Sequence, residues 1–393
     1  MQAFNSEEPE ILTFYGVPVS LVEEPYPHIG VIQVSRKQSA VASAHRISKG
    51  VETSYLLQDV TKNALKGISP LSNRHVFMCY HGPTFVYGLD TIHMNKIDIE
   101  RLEQKYRAEL KRLQSLPCHT SSAIVYLAIG ILPAEASRDL EILGLLGQVA
   151  MCCTELQNVT KIIQNNLEDY DVNFPGWSGL ARITTQKYSL PDPLEYMMHP
   201  WTSKGWRQMC KSTIVDYWDK KLRLKASSMD SLYFCDSSEL SVSKIHRIWE
   251  YAGLSSIEVP KAAVNMWFLL GVYHCNSLLL KMKKSRSDRC HCSSDAIEDI
   301  SHITLFCKSY DDIRIPFLSN LTLQNPNLLA FCDQPEMITR TILDPESPRL
   351  PAEIKHNWKS IHEAYQLTRN YLFNLDRKRR KIIENIGDPP KFS

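Results

Sequence analysis

The sequence predicts a mainly α-helical fold with a short β-hairpin near the N-terminus. Apolar residues recur at helical three- and four-residue spacings over much of the chain, most clearly in residues 97–116. Residues 11–34 are instead rich in β-branched and aromatic residues, which is typical of strands. Prolines interrupt the helical periodicity in residues 170–200, and this stretch is the best candidate for a domain boundary.

Composition places the chain among ordinary globular proteins. Of its 393 residues, 44% are hydrophobic and 22% are charged. Because the net charge is only +2, any binding of nucleic acid must rest on local patches of positive charge. The start of the chain is polar and acidic, unlike a secretory signal, and the apolar run at 123–132 is far too short for a bilayer. The cysteines, 11 in number, show no disulfide framework. We therefore expect an intracellular protein, nuclear or cytoplasmic, without a membrane partner.

Two strands are predicted at the N-terminal end. Residues 11–22 and 28–34 carry the β-rich composition, and the Glu-Glu-Pro-Tyr-Pro segment between them provides a turn. From about Arg36 the periodicity becomes helical, with Val41, Ile47 and Val51 at roughly helical spacings. We expect a strand pair followed by helices.

The clearest predicted helix is residues 97–116, which Pro117 ends. Its apolar stripe consists of Ile99, Leu102, Tyr106, Leu110 and Leu113. Glu103 and Arg107 form an opposite-sign pair at i,i+4, whereas Arg107 and Lys111 form a like-sign pair. Because the charges are mixed, a solvated face is favoured over a track for phosphates.

Further helices are predicted along the rest of the chain. Pro133 opens one of them, since proline is tolerated at the first helical position. Others are predicted at residues 206–224, 309–315 and 356–375. Residues 261–270 are apolar, and a proline-rich connector is expected at 324–351. The helix at 309 is expected to end before Pro316.

Four soft or borderline metal ligands lie within eighteen residues: Cys290, Cys292, His302 and Cys307. Thiolate and imidazole donors are the set that zinc prefers in tetrahedral sites. The His302-x4-Cys307 spacing is typical of zinc modules, whereas the Cys290-x-Cys292 step is one residue shorter than the usual Cys-x2-Cys. The sequence therefore predicts a zinc site with a tight first turn; the alternative is a set of buried thiols beside a surface histidine.

A basic stretch precedes this cluster directly. It contains Lys281, Lys283, Lys284, Arg286 and Arg289. A zinc site contributes folding energy to a short segment, and it could hold these cations on a rigid frame toward nucleic-acid phosphates. Few aromatic residues, Phe306 and Tyr310, are available nearby to stack on bases, so sequence-specific readout is not implied. RNA or DNA is the expected partner.

A series of short motifs follows one another along the chain: Tyr26-Pro-His28-Ile29-Gly30-Val31, Val86-Tyr87-Gly88, Ile99-Glu-Arg-Leu-Glu103, Leu116-Pro117, Ala123-Ile-Val-Tyr126, Gly130-Ile-Leu-Pro133, Leu190-Pro-Asp-Pro-Leu194, Trp201 with Trp206, Leu270-Gly271, His274, the four cluster residues, Glu298 and Arg314. In this collinear order they resemble the C-terminal portion of a non-LTR (LINE-type) retrotransposon reverse transcriptase.

This resemblance implies a division into five parts. They are a strand pair like the end of a polymerase palm (1–35), a helical thumb-like domain (36–168), connector helices (169–255), a zinc-knuckle module (256–325) and a C-terminal helix with a basic tail (326–393). The thumb-like part would grip a template–primer duplex.

The sequence also departs from that family. Its polymerase site needs a Tyr-x-Asp-Asp turn and a further aspartate to hold two metal ions, and neither stands in the expected place, upstream of residue 11. Tyr310-Asp311-Asp312 lacks the intervening residue and is interpreted as a solvated helix face. The endonuclease of the family is missing too. We therefore expect no enzymatic activity from this chain.

Two functions remain open from the sequence. The first is a catalytically incomplete reverse-transcriptase fragment that binds RNA or template–primer through the thumb and zinc regions. The second is a zinc-stabilised scaffold for protein interaction without a nucleic-acid role. The basic run at 377–381 fits a nuclear-localisation or RNA-contact patch, and a solvated helix end equally well.

Overall fold

The computed structural model describes residues 13–14, 17–18, 26–28, 30–34, 37–59, 61–151, 157–168, 176–292 and 295–386. Helices dominate these residues, and the strands are short, which confirms the mainly α fold class. Within the described part of the chain, no helix is both long and apolar enough to cross a membrane.

Short strands come first along the chain, and helices follow them. The strands are β1 (Thr13–Phe14), β2 (Val17–Pro18), β3 (Tyr26–His28) and β4 (Val31–Gln33). The α-helices are α1 (Gln38–Leu56), α2 (Pro70–Val76), α3 (Gly82–Val86), α4 (Lys96–Gln114), α5 (Ser122–Ile129), α6 (Ala134–Met151), α7 (Gln157–Glu168), α8 (Trp177–Lys187), α9 (Pro193–Met198), α10 (Ser203–Ser227), α11 (Arg247–Ala252), α12 (Glu258–Leu269), α13 (Asn276–Lys281), α14 (Asp311–Gln324), α15 (Pro335–Leu343), α16 (Ala352–Lys355) and α17 (Ile361–Ile386). Wider π-helical turns occur at Phe77–His81 and His302–Phe306.

The chain forms two compact units, each assembled from separate stretches of sequence. Unit 1 comprises Met1–Asp59, Val76–Glu109 and Leu132–Lys220. Unit 2 comprises Val60–His75, Leu110–Ile131 and Lys221–Ser393. The five-part division proposed from the sequence remains a prediction.

The N-terminal strands pair differently from the prediction. Strands β3 and β4 form an antiparallel pair in which His28 lies opposite Val31, so the chain turns between these two residues rather than at 23–27. Gly30 makes this turn possible because its φ of 74° is a left-handed conformation that glycine adopts without strain. Strands β1 and β2 form a separate antiparallel pair. The other residues of the predicted turn, 23–25, lie outside the described residues.

Unit 1 is built around amphipathic helices whose apolar stripes are buried. In α4, as predicted, Leu102 is 1% and Tyr106 2% exposed, and the ring of Tyr106 meets Phe77 edge-on. Trp206 of α10 is fully buried and donates a hydrogen bond from Nε1 to the carbonyl of Leu143 in α6. The stripe that the sequence predicts therefore forms part of the core.

Unit 2 has its core between α12 and α17. Val259 and Phe268 of α12 are fully buried, as are Tyr365 and Leu372 of α17. The ring of Phe268 stacks on Tyr273 at a centroid distance of 3.9 Å. Since α17 belongs to the core of this unit, it provides a long, fixed support for the segments that precede it.

One predicted helix end and one predicted connector differ from the structure. Helix α14 continues through Pro316 to Gln324, although proline removes a backbone donor and favours a helix end there. Phe317 and Leu321 beyond the proline are buried, and this packing overrides the local preference. The expected connector at 324–351 also contains α15, whose Thr339, Ile342 and Leu343 are fully buried.

Candidate metal centre

The first limb of the cluster is a narrow hairpin. Arg289 and Ile297 form an antiparallel bridge, and the amide of Cys290 donates a 2.8 Å hydrogen bond to the carbonyl of Ala296. Cys290 and Cys292 therefore lie where the chain enters the turn. The amide of Cys292 points at Cys290 Sγ, at 3.5 Å. The short Cys-x-Cys step is thus accommodated by a tight turn that brings both sulfurs to the same side.

The second limb is the π-helical turn His302–Phe306. The amide of Cys307 donates to the carbonyl of His302 at 2.8 Å, so these two ligands bracket one wide turn. Asp299 starts the turn by accepting a 2.7 Å hydrogen bond from the amide of His302 on Oδ1. The four-residue spacing noted in the sequence therefore has a direct backbone cause.

The four ligand atoms are arranged as a single ion would require. All lie within 4.8 Å of one another. The sulfurs of Cys290 and Cys307 are 3.6 Å apart, and Cys292 Sγ is 3.4 Å from His302 Nε2. Bond lengths of about 2.3 Å to sulfur and about 2.0 Å to nitrogen give tetrahedral edges of roughly 3.8 and 3.5 Å. These two separations are close to those edges, and the sulfur–sulfur distance exceeds a disulfide bond of about 2.05 Å.

The sulfurs of Cys290 and Cys307 differ in how readily each becomes a thiolate. The thiol of Cys290 donates a hydrogen bond to the sulfur of Cys307, which lowers the pKa of Cys307 and raises that of Cys290. Thiolate, not thiol, is the form that binds a metal. Cys307 and His302 are buried, whereas Cys290 and Cys292 are partly exposed. A closed set of three thiols and one imidazole leaves no open position and suits a structural site.

Hydrogen bonds from two helices hold the first limb in place. Glu298 forms an ion pair with Arg379 of α17, and both side chains are 2% exposed. Its carboxylate also accepts from the amide of Asn276 at 3.2 Å, and its carbonyl accepts from the amide of Ser277 at 3.1 Å. The side-chain amide of Asn276 donates to the carbonyl of Arg289 at 2.7 Å. The hairpin is therefore fixed to the start of α13 and to α17.

The second limb is held in the same way. Arg314 of α14 donates to the carbonyl of Cys307 at 3.0 Å, and it also pairs with Asp311. The hydroxyl of Tyr371 in α17 donates to the carbonyl of Thr304 at 2.6 Å. Glu298 and Arg314 are among the residues that carry the family resemblance, and both lie next to a ligand limb. The segment that carries the four candidate ligands, residues 289–307, is thus part of the unit 2 core.

The basic stretch lies on the surface beside the first limb. All five predicted nucleic-acid-binding residues are exposed: Lys281, Lys283, Lys284, Arg286 and Arg289. Arg289 donates to the carbonyl of Asp295 at 2.5 Å and lies 3.7 Å from the carboxylate of Asp288, so it braces the hairpin. Among the described residues the other four make no ion pair with an acidic group.

The two aromatic residues near the cluster, Phe306 and Tyr310, lie in different environments. Tyr310 is 3% exposed and belongs to the core, whereas Asp311 and Asp312 begin α14. The solvated-face interpretation is therefore wrong for the tyrosine. Phe306, by contrast, is 53% exposed, and Lys308 next to Cys307 is exposed as well.

The basic run at 377–381 is used largely within the unit. Arg379 is buried against Glu298, Lys378 pairs with Asp312 at 2.5 Å, and Arg380 pairs with Asp376 at 2.9 Å. Three of these five cations therefore support the fold.

Comparison of the chain with protein-family models, with curated proteins and with solved structures finds no match.

Proposed function

We propose that unit 2 is a zinc-braced nucleic-acid-binding unit. The observation that carries this proposal is the placement of Lys281, Lys283, Lys284 and Arg286. They are exposed, without acidic partners in the described part of the chain, on a segment that leads into a rigid four-ligand cluster. Cations held in this way are suited to contact phosphates with little further loss of side-chain and backbone freedom.

Zinc is the metal that the ligand set favours. Three sulfurs and one imidazole nitrogen within 4.8 Å of one another suit an ion that has no geometric preference from its d electrons. Harder ions such as Mg²⁺ and Ca²⁺ prefer oxygen ligands, and no carboxylate belongs to the cluster among the described residues. The ion would fix the hairpin and the π-helical turn to each other.

The ordered resemblance to non-LTR reverse transcriptases supports nucleic acid as the partner. On this proposal the chain supplies thumb, connector and zinc regions and contacts RNA or template–primer through phosphates. It binds without polymerising, because its sequence contains no Tyr-x-Asp-Asp turn to hold two catalytic metal ions.

A filter-binding titration of the full chain with a structured RNA tests the proposal. We expect binding that weakens with salt. Replacing Lys281, Lys283, Lys284 and Arg286 by glutamine should reduce the slope of log K against log salt by about three, at roughly 0.7 per phosphate contact on single strands. The matched control replaces four exposed lysines of unit 2 by glutamine, Lys62, Lys66, Lys225 and Lys359, and should leave the slope unchanged. Absence of salt-dependent binding at low ionic strength would contradict the proposal.

The second candidate is a zinc-stabilised scaffold for protein partners. The internal use of Arg289, Lys378, Arg379 and Arg380 favours it, because these cations neutralise acidic groups of the unit itself. This candidate predicts a full equivalent of zinc, normal stability and no RNA binding. The same titration therefore separates the two.

A further inference from the structure

Two sulfurs of the candidate metal centre lie close enough to be joined by oxidation. The Sγ atoms of Cys290 and Cys307 are 3.6 Å apart, and both cysteines are free thiols. A disulfide bond is about 2.05 Å long, so the two sulfurs must approach each other by roughly 1.5 Å. Rotations of about 30° around the Cα–Cβ bond of each side chain supply a movement of this size without a change in the backbone.

The two thiols differ in their access to solvent. Cys290 is partly exposed and its neighbour His291 is exposed, whereas Cys307 is 1% exposed. A small oxidant dissolved in water therefore reaches Cys290 first. An accessible cysteine with a second cysteine beside it is the arrangement typical of thiols that are oxidised reversibly.

The backbone at both cysteines is held by contacts that do not involve a metal ion. The amide of Cys290 donates a hydrogen bond to the carbonyl of Ala296 at 2.8 Å. The guanidinium of Arg314 donates to the carbonyl of Cys307 at 3.0 Å. Because these bonds belong to the protein itself, the two sulfurs stay next to each other when a metal ion leaves.

We propose that Cys290 and Cys307 form a site of reversible oxidation, at which a hydroperoxide joins them in a disulfide and the metal ion is released. One peroxide oxygen binds to Sγ of Cys290 as the O–O bond breaks, which gives a sulfenic acid and one water or alcohol. Sγ of Cys307 then attacks the Cys290 sulfur, the S–O bond breaks, and the oxygen leaves as water. Two thiols and one hydrogen peroxide thus give one disulfide and two waters, and the peroxide takes up both electrons.

The metal ion leaves because the disulfide removes two of its four ligands. A disulfide sulfur carries no negative charge with which to bind a metal, and only Cys292 and His302 remain. The new bond joins the same two limbs, the hairpin and the π-helical turn, that the ion joins. The release of metal rests on the zinc site of the function proposed above, whereas the disulfide does not require nucleic acid as the partner.

Cys292 is the competing partner, because its sulfur also lies within 4.8 Å of the other two. A bond between Cys290 and Cys292 would span a single residue, and the torsion of about 90° that a disulfide prefers is strained in so small a ring. A bond between Cys290 and Cys307 instead closes a loop of eighteen residues whose ends the fold already brings together.

Peptide mapping of the full chain after treatment with hydrogen peroxide tests the inference. Free thiols are blocked with iodoacetamide, and the chain is cut before each aspartate. This cut places Cys290 and Cys292 in the peptide 288–294 and Cys307 in the peptide 299–310. We expect the two peptides to be joined, and dithiothreitol to separate them. A zinc-binding dye should record about one equivalent of zinc released per disulfide.

Four variants identify the sulfurs that react. Cys290→Ser and Cys307→Ser should each abolish the joined peptides. Cys292→Ser should retain them, although it loses a metal ligand, because its sulfur does not take part in the bond. Cys332→Ser is the matched control, since that thiol is exposed and outside the cluster, and it should oxidise like the parent.

Three outcomes would overturn the inference. The first is a parent chain in which the two peptides are not joined, whether the thiols stay reduced or become sulfinic acid. The second is joining that persists in Cys290→Ser and disappears in Cys292→Ser, which would make Cys292 the partner of Cys307. The third is a disulfide that forms without release of zinc. Joined peptides in a chain that binds no RNA would contradict only the nucleic-acid role proposed above.

Discussion

Arg379 of the last helix and Glu298 of the hairpin that carries Cys290 and Cys292 form an ion pair in which each side chain is 2% exposed. The two residues are 81 positions apart in the sequence. The guanidinium also lies over the ring of Tyr273, 5.5 Å from its centroid. This pair joins the hairpin that carries Cys290 and Cys292 to the core of unit 2. We therefore expect the free energy of unfolding and the affinity for a metal ion to depend on each other.

We expect Arg379→Met to lower the free energy of unfolding by about 3–5 kcal/mol, because it leaves the Glu298 carboxylate buried without its charge partner. Zinc affinity should fall about 10–100-fold, since the hairpin loses its support. Urea unfolding and competition with a zinc chelator measure the two effects. The matched control is Arg377→Met on the same helix, an exposed position that should change stability by less than about 0.5 kcal/mol. Equal effects of the two variants would contradict the structural role of Arg379.

Zinc content should respond to the loss of one buried ligand. The purified full chain should bind about one equivalent, and Cys307→Ser should bind less than about half, because three ligands bind zinc much more weakly than four. Cys332→Ser serves as the control, since that thiol is exposed and outside the cluster. Atomic absorption after dialysis gives the stoichiometry. A parent chain with less than about half an equivalent would remove the metal site.

Two glycines of α6 should respond in opposite directions. A Cβ at Gly147 would lie 2.5 Å from Cδ1 of the buried Trp206 ring, so we expect Gly147→Ala to destabilise unit 1 by about 1–3 kcal/mol through overpacking. A Cβ at Gly144 would meet nothing within 4 Å. Gly144→Ala should therefore stabilise the helix by about 0.5–1 kcal/mol. Thermal unfolding of both variants measures the contrast, and a shift of the same sign would refute this packing.

His274 should make stability depend on pH. Burial first, and then the positive charges of His119, Lys284, Arg379 and Arg380, lower its pKa to about 4, whereas an unperturbed histidine has a pKa of 6.5. As pH falls below about 6.5, the unfolded chain binds a proton that the folded chain does not, so stability is lost until about pH 4.

The expected size is modest because His274 is only half-buried. Between about pH 7 and pH 5 the parent should lose about 1 kcal/mol more than His274→Gln, after allowance for solvent screening. Urea unfolding at the two pH values measures this difference. The exposed His356→Gln variant is the control and should behave like the parent. A His274→Gln variant with the same pH response would contradict the assignment.

Much of the fold could be predicted because the relevant signals are local. The stripe at Leu102, Tyr106 and Leu110 repeats at helical spacing, and the structure buries all three residues in α4. Proline is a less reliable guide. Pro316 lies inside α14, where the buried side chains that follow it stabilise the helix, and the N-terminal turn falls at Gly30 instead of the proline-rich segment.

The sequence by itself determined the helical class and the four candidate metal ligands, because periodicity, ligand type and ligand spacing are properties of neighbouring residues. Only the tertiary structure decided which charges are free. It buried Arg379 against Glu298 and left Lys283 and Lys284 in solvent, although both groups belong to basic runs of similar appearance. The reason is physical: a buried cation needs partners that compensate its loss of hydration, and for Arg379 this partner is a carboxylate 81 positions away, of which the local sequence contains no record.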